Sequence, residues 1–103
     1  MMDAGVEAHL ELVRADQNMT VRAFVAAAPA RPLRWRLTTL SRTVGGTSNV
    51  SQSGSTQGVS DQPVSVTVVS PNSEGTVVLV VFDGDQEIAR DTLDLSRSAS
   101  DVP

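Results

Sequence analysis

Hydrophobic residues recur at every second position along most of this chain and almost nowhere at helical spacing, which predicts strands. In "VEAHLELVRA", Val6, Ala8, Leu10 and Leu12 alternate with Glu7, His9, Glu11 and Val13. "MTVRAFVAAA" puts Val21, Ala23 and Val25 on one face and Arg22 and Phe24 on the other. "LRWRLTTLSR" alternates most clearly, with Leu33, Trp35, Leu37 and Thr39 opposed to Arg34, Arg36 and Thr38. Further on, "PVSVTVVS" alternates Val64, Val66 and Val68 with Ser65 and Thr67. "TVVLVVFDG" is apolar almost throughout, the pattern of a central strand covered on both faces. "EIARDTLDL" closes the series, with Ala89, Leu93 and Leu95 opposite Ile88, Arg90, Thr92 and Asp94.

Turn chemistry separates these runs. "DQN" at Asp16–Asn18, "VGGTSN" from Val44 and "PNSEG" at Pro71–Gly75 read as turns. "PARP" at Pro29–Pro32 interrupts any ladder, because proline has no N–H to donate. "DGDQ" at Asp83–Gln86 signals a hairpin, Asp-Gly being the preferred pair of a type I′ turn. Such spacing predicts an antiparallel sandwich.

One run fits less simply. "SNVSQSGSTQG" at Ser48–Gly58 holds a single aliphatic residue, Val50. At 103 residues with 40% hydrophobic content the chain can build one core, not two, so an interdomain linker is disfavoured. The run is expected to be a fourth, edge strand, kept polar and glycine-interrupted so that it does not pair with other chains. The prediction is then all-β: an immunoglobulin-like antiparallel β-sandwich of about seven strands, the number of a constant-type domain. Trp35 would face inward from the third strand, with aliphatic packing replacing the missing inter-sheet cystine. One domain over residues 4–96 is expected, with 97–103 as a flexible polar tail.

Composition mostly removes possibilities. With no cysteine there is no disulfide, thiolate nucleophile or thiolate metal site. Net charge is −4 and all eight cations are arginine, without the basic balance of a non-specific nucleic-acid binder. No stretch has the length and apolarity to cross a bilayer. The start, "MMDAGVEAHL", lacks the basic and apolar regions of a signal peptide. If the natural protein is exported, the expectation is a mature form carrying an added initiator Met.

Candidate chemistry is sparse. His9, the lone histidine, is expected at the surface, since one histidine without cysteine makes neither a zinc site nor a nucleophile–base pair. Asp83, Asp85 and Glu87 resemble the start of a calcium loop but lack its remaining ligands, so the hairpin is favoured. "NMT" at Asn18 and "NVS" at Asn49 match the short N-glycosylation pattern. No phosphate loop or GxSxG occurs, so no catalytic residue, metal or cofactor is expected.

The arginines are the unusual feature. Arg34 and Arg36 point outward from the third strand, beside a sixth strand whose outward set is either Val77, Leu79 and Val81 or Val78, Val80 and Phe82. Arg90 on the seventh strand would add a cation on the far side. An apolar strip flanked by guanidinium groups suits a polypeptide partner, and it equally suits arginine stems that simply cover the strip. The candidate contacts are Arg34, Arg36 and Arg90, followed by Arg22 and Arg42.

The order "VEAHLELVRADQNMTVRAFV", "LRWRLTTLSRTVGG", "SNVSQSGSTQG" and "VVLVVFDGDQEIARDTLDL" resembles the CsgC/CsgH family of curli-associated proteins over about Val6 to Leu95. "SQSG" at Ser51–Gly54 and "FDGDQEIARDTLDL" are its most distinctive pieces. The resemblance implies a periplasmic immunoglobulin-like sandwich that keeps the curli major subunit, an amyloidogenic protein, from polymerising prematurely. It supplies no catalytic residues, and the Cys-x-Cys pair of one branch has no counterpart here. The expectation is a monomer without nucleic-acid partner or membrane insertion, touching its disordered client electrostatically or at a sheet edge. Because curli repeats are rich in Ser, Gln, Gly and Asn, Ser48–Gly58 would imitate a client strand too glycine-broken to propagate. The competing expectation is an immunoglobulin-like accessory domain of a surface or adhesion protein.

Overall fold

Each alternating run becomes a strand in the computed structural model, which describes residues 5–15, 18–59 and 61–95. The strands are β1 (Val6–Arg14), β2 (Met19–Ala27), β3 (Leu33–Thr43), β4 (Gly46–Thr56), β5 (Ser65–Val69), β6 (Glu74–Asp83) and β7 (Gln86–Asp94). The expected tail at 97–103, and Asp16 and Gln17 of the first turn, lie outside the described residues.

Two antiparallel sheets form, β1-β2-β5 and β4-β3-β6-β7. The fold is all-β and sandwich-like, with seven strands and no helix among the described residues. Inward residues alternate as the sequence indicates. Val6 and Leu10 on β1 and Val21, Ala23 and Val25 on β2 meet Leu33, Trp35 and Leu37 on β3 and Val77, Leu79 and Val81 on β6. Leu95 closes this core just past β7. Among the described residues, no helix is long and apolar enough to cross a membrane.

The polar run is indeed an edge strand, but it starts at Gly46 and differs from a constant-type domain in its sheet. There the fourth strand joins the sheet of the first, second and fifth. Here β4 pairs with β3, in register from Leu33↔Thr56 to Thr43↔Gly46. The cause is local: only Val44 and Gly45 separate the strands, and so short a connection must fold β4 back beside β3.

One other expectation changes. The type I′ turn is not formed, because the central pair is Gly84–Asp85 and only Gly84 has positive φ, at 65°. Glycine first and a negative-φ residue second is the type II′ arrangement. On β5, Val66 and Val68 point outward, 54% and 62% exposed, while Ser65 is buried. The buried hydroxyl is satisfied from the other sheet, where Gln52 Oε1 accepts from Ser65 Oγ at 2.7 Å and Gln52 Nε2 donates to Thr67 Oγ1 at 3.2 Å.

Candidate functional site

Because β3 alternates without interruption, burying Leu33, Trp35 and Leu37 forces Arg34, Arg36, Thr38, Leu40 and Arg42 onto the outer face of the larger sheet. The same argument settles the open choice on β6. Val77, Leu79 and Val81 are fully buried, so Val78, Val80 and Phe82 are the outward set.

The register then builds the face. Val80 lies between Arg36 on β3 and Arg90 on β7, and Arg34 is opposite Phe82. Although it points outward, Val80 is only 9% exposed, with the two arginines as its direct cross-strand neighbours. Their aliphatic stems cover the valine while the charged heads stay in water. The Arg36 guanidinium sits over the Phe82 ring at 5.8 Å from its centroid, a cation–π contact worth about 0.5–1 kcal/mol at an exposed site. Arg34, Arg36, Ser53, Phe82, Gly84 and Asp85 line a shallow depression of about 230 Å³.

The five candidate arginines are not equivalent. Arg90 Nε and Nη2 each donate to Glu87 carboxylate oxygens at 2.9 Å, a planar two-point pair. These hydrogen bonds, with the charge of Arg90 adding to them, hold the Glu87 carboxyl below the usual carboxylate range. The same bonds push Arg90 further up. Arg42 lies on the same face at the far end of β3, loosely paired with Glu74 at 3.9 Å. Arg22 is on the outer face of the smaller sheet, paired with Glu11 at 3.7 Å, so it does not belong to this patch. Among the described residues, Arg34 and Arg36 have no carboxylate within ion-pair distance. Sequence alternation alone could place Arg34 and Arg36, but not the pairing that occupies Arg90.

The remaining candidate residues have structural places. His9 is exposed on β1, its ring 6.1 Å from that of Phe24. Asp83 pairs with Arg31 at 3.2 Å, and Asp85 occupies the hairpin turn. The face therefore offers cationic heads, an aromatic ring and a row of hydroxyls from Ser51, Ser53 and Ser55 on β4. Such a surface can hold an extended polar or acidic polypeptide, the guanidinium forks matching carboxylate and carbonyl acceptors.

Comparison with solved structures matches this architecture to two proteins. The solution structure of CsgH from R. palustris superposes with a TM-score of 0.67 at 21% identity, covering 87% of this chain and 92% of that one. The chain has the fold of CsgH. The curli protein CsgC of E. coli superposes with a TM-score of 0.65 at 16% identity, covering 84% of this chain and 96% of that one. No family model and no curated protein sequence matches. In this CsgH and CsgC fold the arginine–phenylalanine patch occupies the outer face of the four-stranded sheet, and β4 is one of that sheet's two edges.

Proposed function

We propose that this protein is a non-catalytic, periplasmic, chaperone-like inhibitor of amyloid formation that keeps the curli major subunit from polymerising prematurely. The observation that carries the reading is the pairing of the CsgH and CsgC fold with two guanidinium groups on one sheet face that meet no carboxylate among the described residues. A disordered polar subunit is met transiently by Arg34 and Arg36, with Phe82 as an apolar platform between them. Arg90 and Arg42 lie at the margins of the contact, each already holding a glutamate. Exposed charges of this kind raise encounter rates and orient a partner more than they build a tight complex. Transient contact suffices where the aim is to divert early nuclei rather than to store the subunit.

Thioflavin-T kinetics of purified curli major subunit test this reading. With the protein well below equimolar, the expected result is a much longer lag. An unchanged curve at equimolar protein overturns it and favours the accessory-domain reading.

A further inference from the structure

The four sheet edges are protected very unequally. At β1, the Leu10 amide donates to the Asp91 carboxylate of β7 at 2.8 Å, so a carboxylate of the facing sheet caps that edge. β7 carries Glu87, Arg90, Asp91 and Asp94, and β6 shifts register beside it between Val81 and Phe82. β5 is only five residues long, with Pro63 and Pro71 near its two ends. Charges, irregular register, proline and shortness are the usual devices against unwanted strand pairing. β4 has none of them. It runs for 11 residues without charge or proline, and no charged residue occurs between Arg42 and Asp61.

The hairpin fixes which backbone groups this edge offers. With Val44 and Gly45 as the loop, Thr43↔Gly46 is the closing hydrogen-bonded pair, and bonded and non-bonded pairs alternate from there. The N–H and C=O groups of Thr47, Asn49, Ser51, Ser53 and Ser55 therefore point away from β3. Beside the edge a cleft opens between the sheets, lined by hydroxyls that include those of Thr39, Ser41, Thr67 and Ser73. Thr39 is 4% exposed and its Oγ1 has no hydrogen-bond partner among the described residues.

We infer that β4 accepts one extended strand of the client by β-augmentation, a mode that extends the curli-subunit reading above and depends on it. The strand's chemistry follows from what flanks the edge. Positions facing the outer side lie next to the arginine row, which favours acidic or uncharged residues there and disfavours cations. Positions facing the cleft suit long neutral hydrogen-bonding side chains such as Asn and Gln. The guanidinium face and the edge are one continuous surface, since Arg34 and Arg36 are directly opposite Ser55 and Ser53.

Residue-resolved amide hydrogen exchange of the full chain, alone and with equimolar unpolymerised curli major subunit, tests the inference. Thr47, Asn49, Ser51, Ser53 and Ser55 are expected to exchange at least about tenfold more slowly with the subunit present. Ser51→Pro removes one outward donor without touching the β3 ladder, and it is expected to lose both that protection and the delay of polymerisation. Ser51→Ala keeps the donor and is expected to retain both. A delay of polymerisation without edge protection overturns the strand-acceptor inference and leaves the inhibitor reading standing. Neither delay nor protection overturns both. Concentration-dependent protection in the protein alone assigns the edge to a second copy and overturns the inference.

Discussion

Gly54 on β4 lies directly opposite Trp35 on β3, and a Cβ at position 54 would come within 3.0 Å of the indole ring. The glycine does not break the edge strand, because β4 continues through it to Thr56. It makes room for the tryptophan, whose ring covers the bare backbone of its neighbour, an arrangement known to stabilise glycines in sheets. Gly54→Val forces the ring from its position and is expected to cost about 1–3 kcal/mol, as overpacking does. Ser53→Ala on the outer face should stay within about 0.5 kcal/mol. Urea unfolding followed by Trp35 fluorescence reads both.

Gln52 joins β4 and β5, two sheet edges that share no backbone hydrogen bond among the described residues. Gln52→Ala leaves the buried Ser65 hydroxyl without its acceptor and Thr67 without its donor. The expected loss is about 1–3 kcal/mol, the usual cost of a stranded buried polar group. The double variant Gln52→Leu/Ser65→Ala, which removes both polar partners, should recover much of it. Finding Gln52→Ala as stable as the parent by urea unfolding would show that the bridge holds nothing together.

These two contacts show where the sequence was legible and where it was not. On β2 and β3 the faces follow from alternation, because one side must be buried and a one-residue slip would expose it, whereas β6 is apolar on both sides and only the fold chooses between its two faces. Leu33, Trp35 and Leu37 could be placed without any partner in view. β5 could not. Its inward hydroxyls depend on Gln52, 13 residues from Ser65 in the chain, and no periodicity carries that information. The arginine face was legible as far as Arg34 and Arg36, which one strand orients. Arg22 and Arg90 were not, since separating them from the patch required knowing which sheet each joins and which carboxylate each meets.

The Asp91 cap gives a local test. Its Oδ2 accepts from the Leu10 amide while Oδ1 accepts from Thr92 N at 3.0 Å. Asp91→Ala leaves the Leu10 N–H with no protein acceptor on an edge strand. Its amide exchange should accelerate by at least about tenfold, while that of Val21 and Ala23 in the neighbouring strand should change far less. Equal acceleration across β1 and β2 would mean that the substitution lowers global stability instead.

Glu87 and Arg90 set a pH dependence of known sign. The folded-state carboxyl of Glu87 lies below its unfolded value, so the pair's contribution is fully present above the unfolded value. It is lost as pH falls through the lower folded one. Both side chains lie at the surface, so the effect on unfolding should be slight and the site itself is the better reporter. An NMR titration should place Glu87 below the ordinary glutamate range in the parent and return it to that range in Arg90→Ala. An unchanged Glu87 titration in the variant would mean that the bidentate pair does not persist in solution.

Arg34 and Arg36 carry the functional proposal, and their separation from Arg22 supplies its control. Replacing both with alanine removes two exposed charges, each worth up to about 1 kcal/mol to a partner contact, and the platform over Phe82 as well. The double variant should need roughly tenfold more protein for the same delay of curli-subunit polymerisation, the factor that about 1.4 kcal/mol supplies. Arg22→Ala, on the opposite sheet, should leave the delay unchanged. Raising ionic strength from about 0.15 M to 1 M shortens the screening length from about 8 Å to 3 Å and should weaken the parent protein toward the double variant. Both replacements leave the buried Leu33, Trp35 and Leu37 untouched, so thermal unfolding should be nearly unchanged and a loss of inhibition can be read as loss of contact. If the double variant and Arg22→Ala delay polymerisation equally well, the guanidinium face is only a solubilising cover for Val80, and the client is met elsewhere.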